Sequence, residues 1–242
     1  MSFKEYLLTE SINDKGLFKA VFVVGIPGSG KSYTVKNLKG AVNPRVVNTD
    51  IALEFLSKKL KIEANSETWK TTFRDSSKRI TSTKLYSYLD GMLPLFIDGT
   101  SNNVSNILQR AGILESLGYD IGMIFIDTSL ETAIKRAEER AKEINRSVDK
   151  SFIEKVYQAS NENKEYFKNK FDYFAEIKNG DGELTDDALL DAYRKVQNFY
   201  NTPVKNPIGK ANINKIREES QKYLTPTCMS SEKLKNKIST WY

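Results

Sequence analysis

The sequence predicts an α/β protein: a parallel five-stranded sheet with helices on both faces, followed by a C-terminal appendage. Three observations predict it. Short apolar runs recur at residues 20–24, 45–48, 93–98, 121–127 and 171–177, and helical patterns separate them. Strands that alternate with helices pair in parallel. Two of these runs, 93–98 and 121–127, are almost continuously apolar and end in an acid, Asp98 and Asp127. Strands buried on both faces read this way. The first run leads straight into Gly25-Ile26-Pro27-Gly28-Ser29-Gly30-Lys31-Ser32 and then into Tyr33-Thr34-Val35-Lys36-Asn37-Leu38, which reads as helix. A strand, a glycine-rich loop and a helix opening on Lys-Ser form the P-loop arrangement.

Taken in order, residues 1–10 place Phe3, Tyr6 and Leu7 at helical spacing, and the polar stretch to Gly16 sets this peptide apart from the first strand. After the P-loop helix, the second strand delivers Thr49-Asp50 at its C-terminal end, and 51–60 reads as helix. Residues 66–90 read as one longer helix with Trp69, Phe73, Ile80, Leu85 and Leu89 on a core-facing stripe. The third strand ends at Asp98, with a helix at 104–117 that Gly118 stops. The fourth ends at Asp127 and precedes helices at 130–142 and 151–168, joined by a loop carrying Arg146. Asn179-Gly180-Asp181-Gly182 is a turn after the fifth strand, and 185–200 is the last helix of the main fold. Beyond Asn201, Pro203, Pro207 and Gly209 are expected to break structure before a helix at 212–222. The chain therefore divides into an N-terminal peptide (1–16), a nucleotide-binding domain (17–200) and an extension (201–242).

The loop's residue types follow from its chemistry. Backbone N–H groups wrap a phosphate, and Gly25, Gly28 and Gly30 let them approach without a clashing Cβ. Pro27, Ser29 and Tyr33 complete the nucleotide-contacting stretch, and the helix N-terminus adds unpaired donors. Lys31 neutralises the outer phosphates, and the Ser32 hydroxyl is placed to hold Mg²⁺.

Composition narrows the reaction. The chain has no histidine and a single cysteine, Cys228. That removes imidazole acid–base chemistry, Ser-His-Asp triads and His- or Cys-ligated zinc. Catalysis has to rest on carboxylates, cations and an oxygen-held metal. A net charge of +6 suits an anionic partner such as nucleotide or nucleic acid, although many lysines simply solvate helix faces. No apolar run approaches the roughly 18 residues of a membrane span, and the N-terminus lacks a secretory core.

The guanine-reading and large-motor branches of P-loop proteins are set aside in favour of a small ATP-dependent kinase. Asp50 is the candidate base for the acceptor hydroxyl, with helix N-cap as its alternative or additional role. Asp98 ends the strand expected beside the P-loop strand, where an acid reaches Mg²⁺ or the acceptor. Capping the next loop is its plain alternative. Asp127 ranks lower because its strand is expected farther out. Arg140 and Arg146 are expected over the nucleotide as phosphate-stabilising arginines, with Arg136 on the same helix face as Arg140. Pairing with Glu138 or Glu139 is the alternative for any of them. Two rival classes stay open: a non-catalytic nucleotide-binding head protein, and an NTPase without a specific acceptor.

Over residues 18–178 the chain resembles the zeta-toxin and polynucleotide-kinase branch of P-loop kinases. The residues that carry the resemblance are the P-loop, Asn48-Thr49-Asp50, Ile97-Asp98-Gly99-Thr100-x-Asn102 and Ile134-Lys135-Arg136-x-x-x-Arg140. It implies Asp50 as base, Asp98 as acceptor-contacting residue and Arg140 as the arginine reaching the transferring phosphate. The implied cosubstrates are ATP with Mg²⁺ and a nucleotide-type hydroxyl acceptor. Polynucleotide kinases place an Arg three residues after the base, and Leu53 stands there instead; an apolar side chain cannot replace a bidentate phosphate contact. Zeta toxins phosphorylate a UDP-linked amino sugar. Residues 1–10 also resemble capsid-targeting peptides of T-even-type phages, with a cleavage site at Leu8-Thr9-Glu10; an ordinary N-terminal helix docked on the domain is the alternative. Pro203-Val204-Lys205-Asn206-Pro207-Ile208 resembles segments of zeta-toxin-like proteins of tailed phages. The expected location is the host cytoplasm, with packaging in the virion as the peptide's implication. Mass spectrometry of mature virions is then expected to find a chain starting at Ser11; an uncut chain confined to infected cells removes the packaging idea.

Overall fold

The computed structural model describes residues 16–40, 42–61, 72–99, 103–144, 148–180 and 186–224. The N-terminal peptide, Trp69, Thr100–Asn102, Arg146 and Cys228, and with them the expectations placed on them, lie outside the described residues.

Five strands form one all-parallel sheet: β1 (Lys19–Gly25), β2 (Arg45–Val47), β3 (Leu95–Gly99), β4 (Asp120–Asp127) and β5 (Tyr173–Lys178), in the order β2-β3-β1-β4-β5. Eight helices accompany them among the described residues: α1 (Lys31–Leu38), α2 (Thr49–Leu60), α3 (Arg74–Asp90), α4 (Val104–Ser116), α5 (Leu130–Ile144), α6 (Lys150–Lys170), α7 (Asp186–Asn201) and α8 (Pro207–Leu224). Alternation along each strand sends successive side chains to opposite faces. One face carries Phe22, Val24, Ile97, Met123 and Phe125 against α4 and α6, with Leu85 and Leu89 of α3 packed beside them. The other carries Val21, Val23, Phe96, Ile124 and Ile126 against Val35 and Leu38 of α1 and Val196 and Tyr200 of α7. Among the described residues no helix is long and apolar enough to cross a membrane.

Two expectations change. The strand of Asp127 does not lie farther out, because β4 pairs β1 just as β3 does. The helix expected over 66–90 is met by α3 from Arg74 onward, and its first residues, 66–71, lie outside the described residues. Pro207 and Gly209 do not break structure; they occupy the first turn of α8. Proline suits that position because its missing N–H has no partner there anyway. Asn206 precedes it, and its Oδ1 accepts from the N–H groups of Ile208 (2.9 Å) and Gly209 (3.4 Å).

The approach to α8 is tied to the sheet by one buried ion pair. Lys19, 1% exposed, donates from Nζ to Asp120 at 2.7 Å and to Thr202 Oγ1 at 3.2 Å, and lies over the Phe199 ring. Asp120 also accepts from the backbone N–H groups of Lys205 (2.8 Å) and Asn206 (2.7 Å).

Candidate active site

The C-terminal ends of β1, β2 and β3 lie side by side, and the segments leaving those ends build the site. Functional side chains of open parallel sheets gather at this edge. After β1 the P-loop turns into α1 through Gly28 and Gly30, both at positive φ (83° and 86°). L residues seldom adopt this conformation. The constraint is also steric: a Cβ at Gly28 would sit 2.1 Å from the Ala133 carbonyl oxygen of α5. Gly28→Ala is therefore expected to displace the loop from α5 and weaken nucleotide binding by at least about tenfold, read by isothermal titration calorimetry. An unchanged affinity would show that the loop can move without harm.

The loop is held from behind. Buried Asn179, just past β5, donates from Nδ2 to Ser29 O (2.7 Å) and from its backbone N–H to Asp127 O (2.7 Å). Buried Thr128 adds a longer bond to Ser29 O at 3.3 Å. Sequence reasoning read Asn179 only as the start of a turn; its polar type at a strand's end was the one available signal. Lys31 reaches back from α1 and donates from Nζ to the Gly25 and Ile26 carbonyls, each at 2.9 Å. Ser32 and Tyr33 are exposed in the first turn of α1. That turn contains no acid and receives no side-chain cap from Gly30, so its amide donors face an incoming anion.

Charged side chains converge on Lys31. Desolvation lowers its pKa, opposed first by the negative charge of Asp98 and then by that of Asp50; Arg140 acts in the same direction as desolvation. Asp98 moves the other way. Burial raises its pKa, opposed first by Lys31, and the Asp50 charge raises it further. Asp50 itself is exposed at the start of α2. The cap of α2 is Asn48, not Asp50: Asn48 Oδ1 accepts from the Asp50 backbone N–H at 2.7 Å. This leaves the carboxylate of Asp50 outside the cap. Asn48 also donates from Nδ2 to the Asp98 carboxylate.

Arg140, on α5, pairs with Glu54 of α2 at 3.1 Å, each partly exposed, and so spans from the helix beyond the P-loop to the helix of Asp50. Neither Glu138 nor Glu139 is its partner in that bridge. Arg136 donates to Gly180 O at 3.0 Å, toward the turn that backs the loop. Asp127 accepts from Lys164 (2.9 Å), which also donates to Glu176 (2.6 Å), so a lysine rather than strand position separates it from Asp98. Leu53 is 2% exposed, so position 53 points into the core and presents no cation to the site.

Among the described residues no cluster of three His, Cys, Asp or Glu side chains could hold a metal. An exposed hydroxyl at Ser32 and the Asp98 carboxylate do fit a small hard cation that takes most of its oxygens from phosphate and water. An Asn-Lys-x-Asp string of the guanine-reading type occurs at Asn169-Lys170-Phe171-Asp172. It spans the end of α6 and the entry to β5, at the sheet edge opposite the P-loop, with Phe171 buried. It has no access to a base bound at the P-loop.

The parallel sheet, the glycine loop and the acids on the neighbouring strands define a P-loop kinase. More narrowly, the zeta toxin profile matches residues 7–186, and the chain belongs to the zeta toxin family. Solved structures agree in fold. A candidate kinase from Chloroflexus aurantiacus superposes with a TM-score of 0.56 at 13% identity, over 75% of this chain and 98% of that one. A chain of the PezAT chromosomal toxin–antitoxin system of Streptococcus pneumoniae does so with a TM-score of 0.50 at 17% identity, over 81% and 92%. No curated protein sequence matches the chain significantly.

Proposed function

We propose that this protein is an ATP- and Mg²⁺-dependent kinase that transfers the γ-phosphate to a hydroxyl of a nucleotide-type acceptor. The observation that carries the proposal is the placement of the P-loop and two acids at one sheet edge: Asp98 lies on the strand paired with the P-loop strand, and Asn48 ties it to the helix start that bears Asp50. A phosphate cradle alone binds nucleotide. A cradle with an exposed carboxylate beside its lysine also supplies somewhere for the acceptor's proton to go.

In this reading the acceptor oxygen attacks the γ-phosphorus as the bond to the β–γ bridging oxygen breaks, leaving ADP. Asp50 takes the hydroxyl proton and aims the oxygen. Lys31 leaves the Gly25 and Ile26 carbonyls for the outer phosphates, and Arg140 offsets charge on the group in flight. Ser32 and Asp98 would hold Mg²⁺, which supplies Lewis-acid neutralisation of the phosphate oxygens. Gly25, Pro27, Gly28, Ser29, Gly30 and Tyr33 shape the nucleotide site. Arg146 is proposed as a second phosphate contact by its place in the sequence alone.

Family membership and the inward-facing Leu53 favour a UDP-linked amino sugar as acceptor over a nucleic-acid 5′-hydroxyl. The testing experiment incubates the full chain with γ-labelled ATP, Mg²⁺ and separate UDP-N-acetylglucosamine, nucleoside and 5′-hydroxyl oligonucleotide acceptors, and identifies products by mass spectrometry. Label on the nucleotide sugar is expected. Label on the oligonucleotide overturns the acceptor assignment. Release of inorganic phosphate alone, or no turnover at all, favours the simple NTPase or the non-catalytic head protein respectively.

A further inference from the structure

We infer that Asn48 is a positioning residue that locks the two acids of the site into one frame. The inference deepens the kinase reading and rests on it. Strand β2 is short and lies at the sheet edge, and its backbone pairing with β3 ends at Val47↔Ile97. The next residues along the two segments are Asn48, just past the end of β2, and Asp98, within β3. Where the backbone ladder stops, the Asn48 side chain continues it: Nδ2 donates to the Asp98 carboxylate, fifty positions away in sequence. The same amide's Oδ1 accepts from the Asp50 N–H at 2.7 Å and caps α2. One planar group therefore fixes both the orientation of the Asp98 carboxylate and the residue from which the Asp50 carboxylate projects.

The amide is the group that this double task requires. Asp, Ser and Thr cap a helix about as well as Asn, but an ionised Asp has no proton to donate to a second carboxylate. Asn donates at one end and accepts at the other on a stem short enough for the cap. The surroundings explain why Asp98 needs holding. It lies among Lys31, Asp50 and Arg140, and a carboxylate free to swing would follow the lysine away from the acceptor. Misplacing a reacting or orienting group by about 1 Å costs on the order of 100-fold in rate.

Capping and positioning separate in two variants. Asn48→Asp keeps a capping oxygen but has no proton to donate to Asp98; Asn48→Ser keeps a capping oxygen without adding charge, and its hydroxyl, on a stem one atom shorter, stops short of Asp98 when it turns to the Asp50 N–H. Labelled ATP with Mg²⁺ serves as donor, with UDP-N-acetylglucosamine and water as the acceptors. Both variants are expected to lose at least about tenfold in kcat while KM for ATP stays within about threefold. Their Tm should stay within about 2 °C of the wild type, whereas Asn48→Ala, which loses the cap as well, should fall by about 2–4 °C. Wild-type kcat in Asn48→Asp and Asn48→Ser, with Asn48→Ala impaired only in Tm, would leave Asn48 as a helix cap and overturn the inference without touching the kinase reading. A wild-type chain that binds ATP yet turns it over with neither of these acceptors, nor with the nucleoside and 5′-hydroxyl oligonucleotide acceptors, overturns the kinase reading and the inference together.

Discussion

Asp50→Ala is expected to lower kcat for phosphate transfer by about 10²–10⁴-fold, the usual contribution of a general base, while ATP affinity stays within a few-fold of the wild type. The separation comes from where the residue sits. Asp50 opens α2 and is exposed, whereas the phosphate cradle consists of P-loop amides and Lys31. Because Asn48 supplies the cap of α2, the substitution leaves that cap in place, and the change in Tm should stay within about 2–4 °C. Calorimetric titration with ATP beside a transfer assay on the labelled acceptor reads both quantities. Parallel loss of affinity and rate would place Asp50 among the binding groups. Full activity would remove the proposed proton path.

Lys19→Met is expected to cost about 3–5 kcal/mol of stability, the largest single-residue loss anticipated outside the site. The ammonium is buried with its counterion, so its removal strands the Asp120 carboxylate, itself only 11% exposed, with backbone donors alone. Urea unfolding of the full chain measures the loss. Adding Asp120→Asn removes the stranded charge and should restore part of the stability, because the amide oxygen still accepts from Lys205 or Asn206. Equal stability of Lys19→Met and the wild type would mean that water reaches Asp120 freely.

Sequence and structure part company along a physical line. Periodicity and composition report local order, so the continuous apolar runs before Asp98 and Asp127 marked β3 and β4, and glycine spacing marked the phosphate loop. Sheet order is set by contacts between distant segments, and nothing local to Asp127 shows that its strand adjoins the P-loop strand. The same limit hid Asn48 and Asn179. A lone asparagine at a strand's end reads as turn chemistry; its second partner, Asp98 in one case and Ser29 in the other, lies 50 or 150 positions away. Pro207 misled for a different reason. Proline both stops helices and starts them, and the choice there depended on whether Asn206 could cap the residues after it. The buried Lys19, by contrast, carried no signal at all, since a lysine opening a strand usually faces solvent.

The position of the Lys31 ammonium on the Gly25 and Ile26 carbonyls bears on how a ligand is received. A long, flexible side chain that already has a post loses little rotational freedom when phosphate oxygens replace those carbonyls as its acceptors. Much of the ordering cost is thereby met during folding, and the receptor is preorganised. Nucleotide entry then amounts to a short move of one tethered cation from carbonyl to phosphate partners, not the building of a nest around the guest.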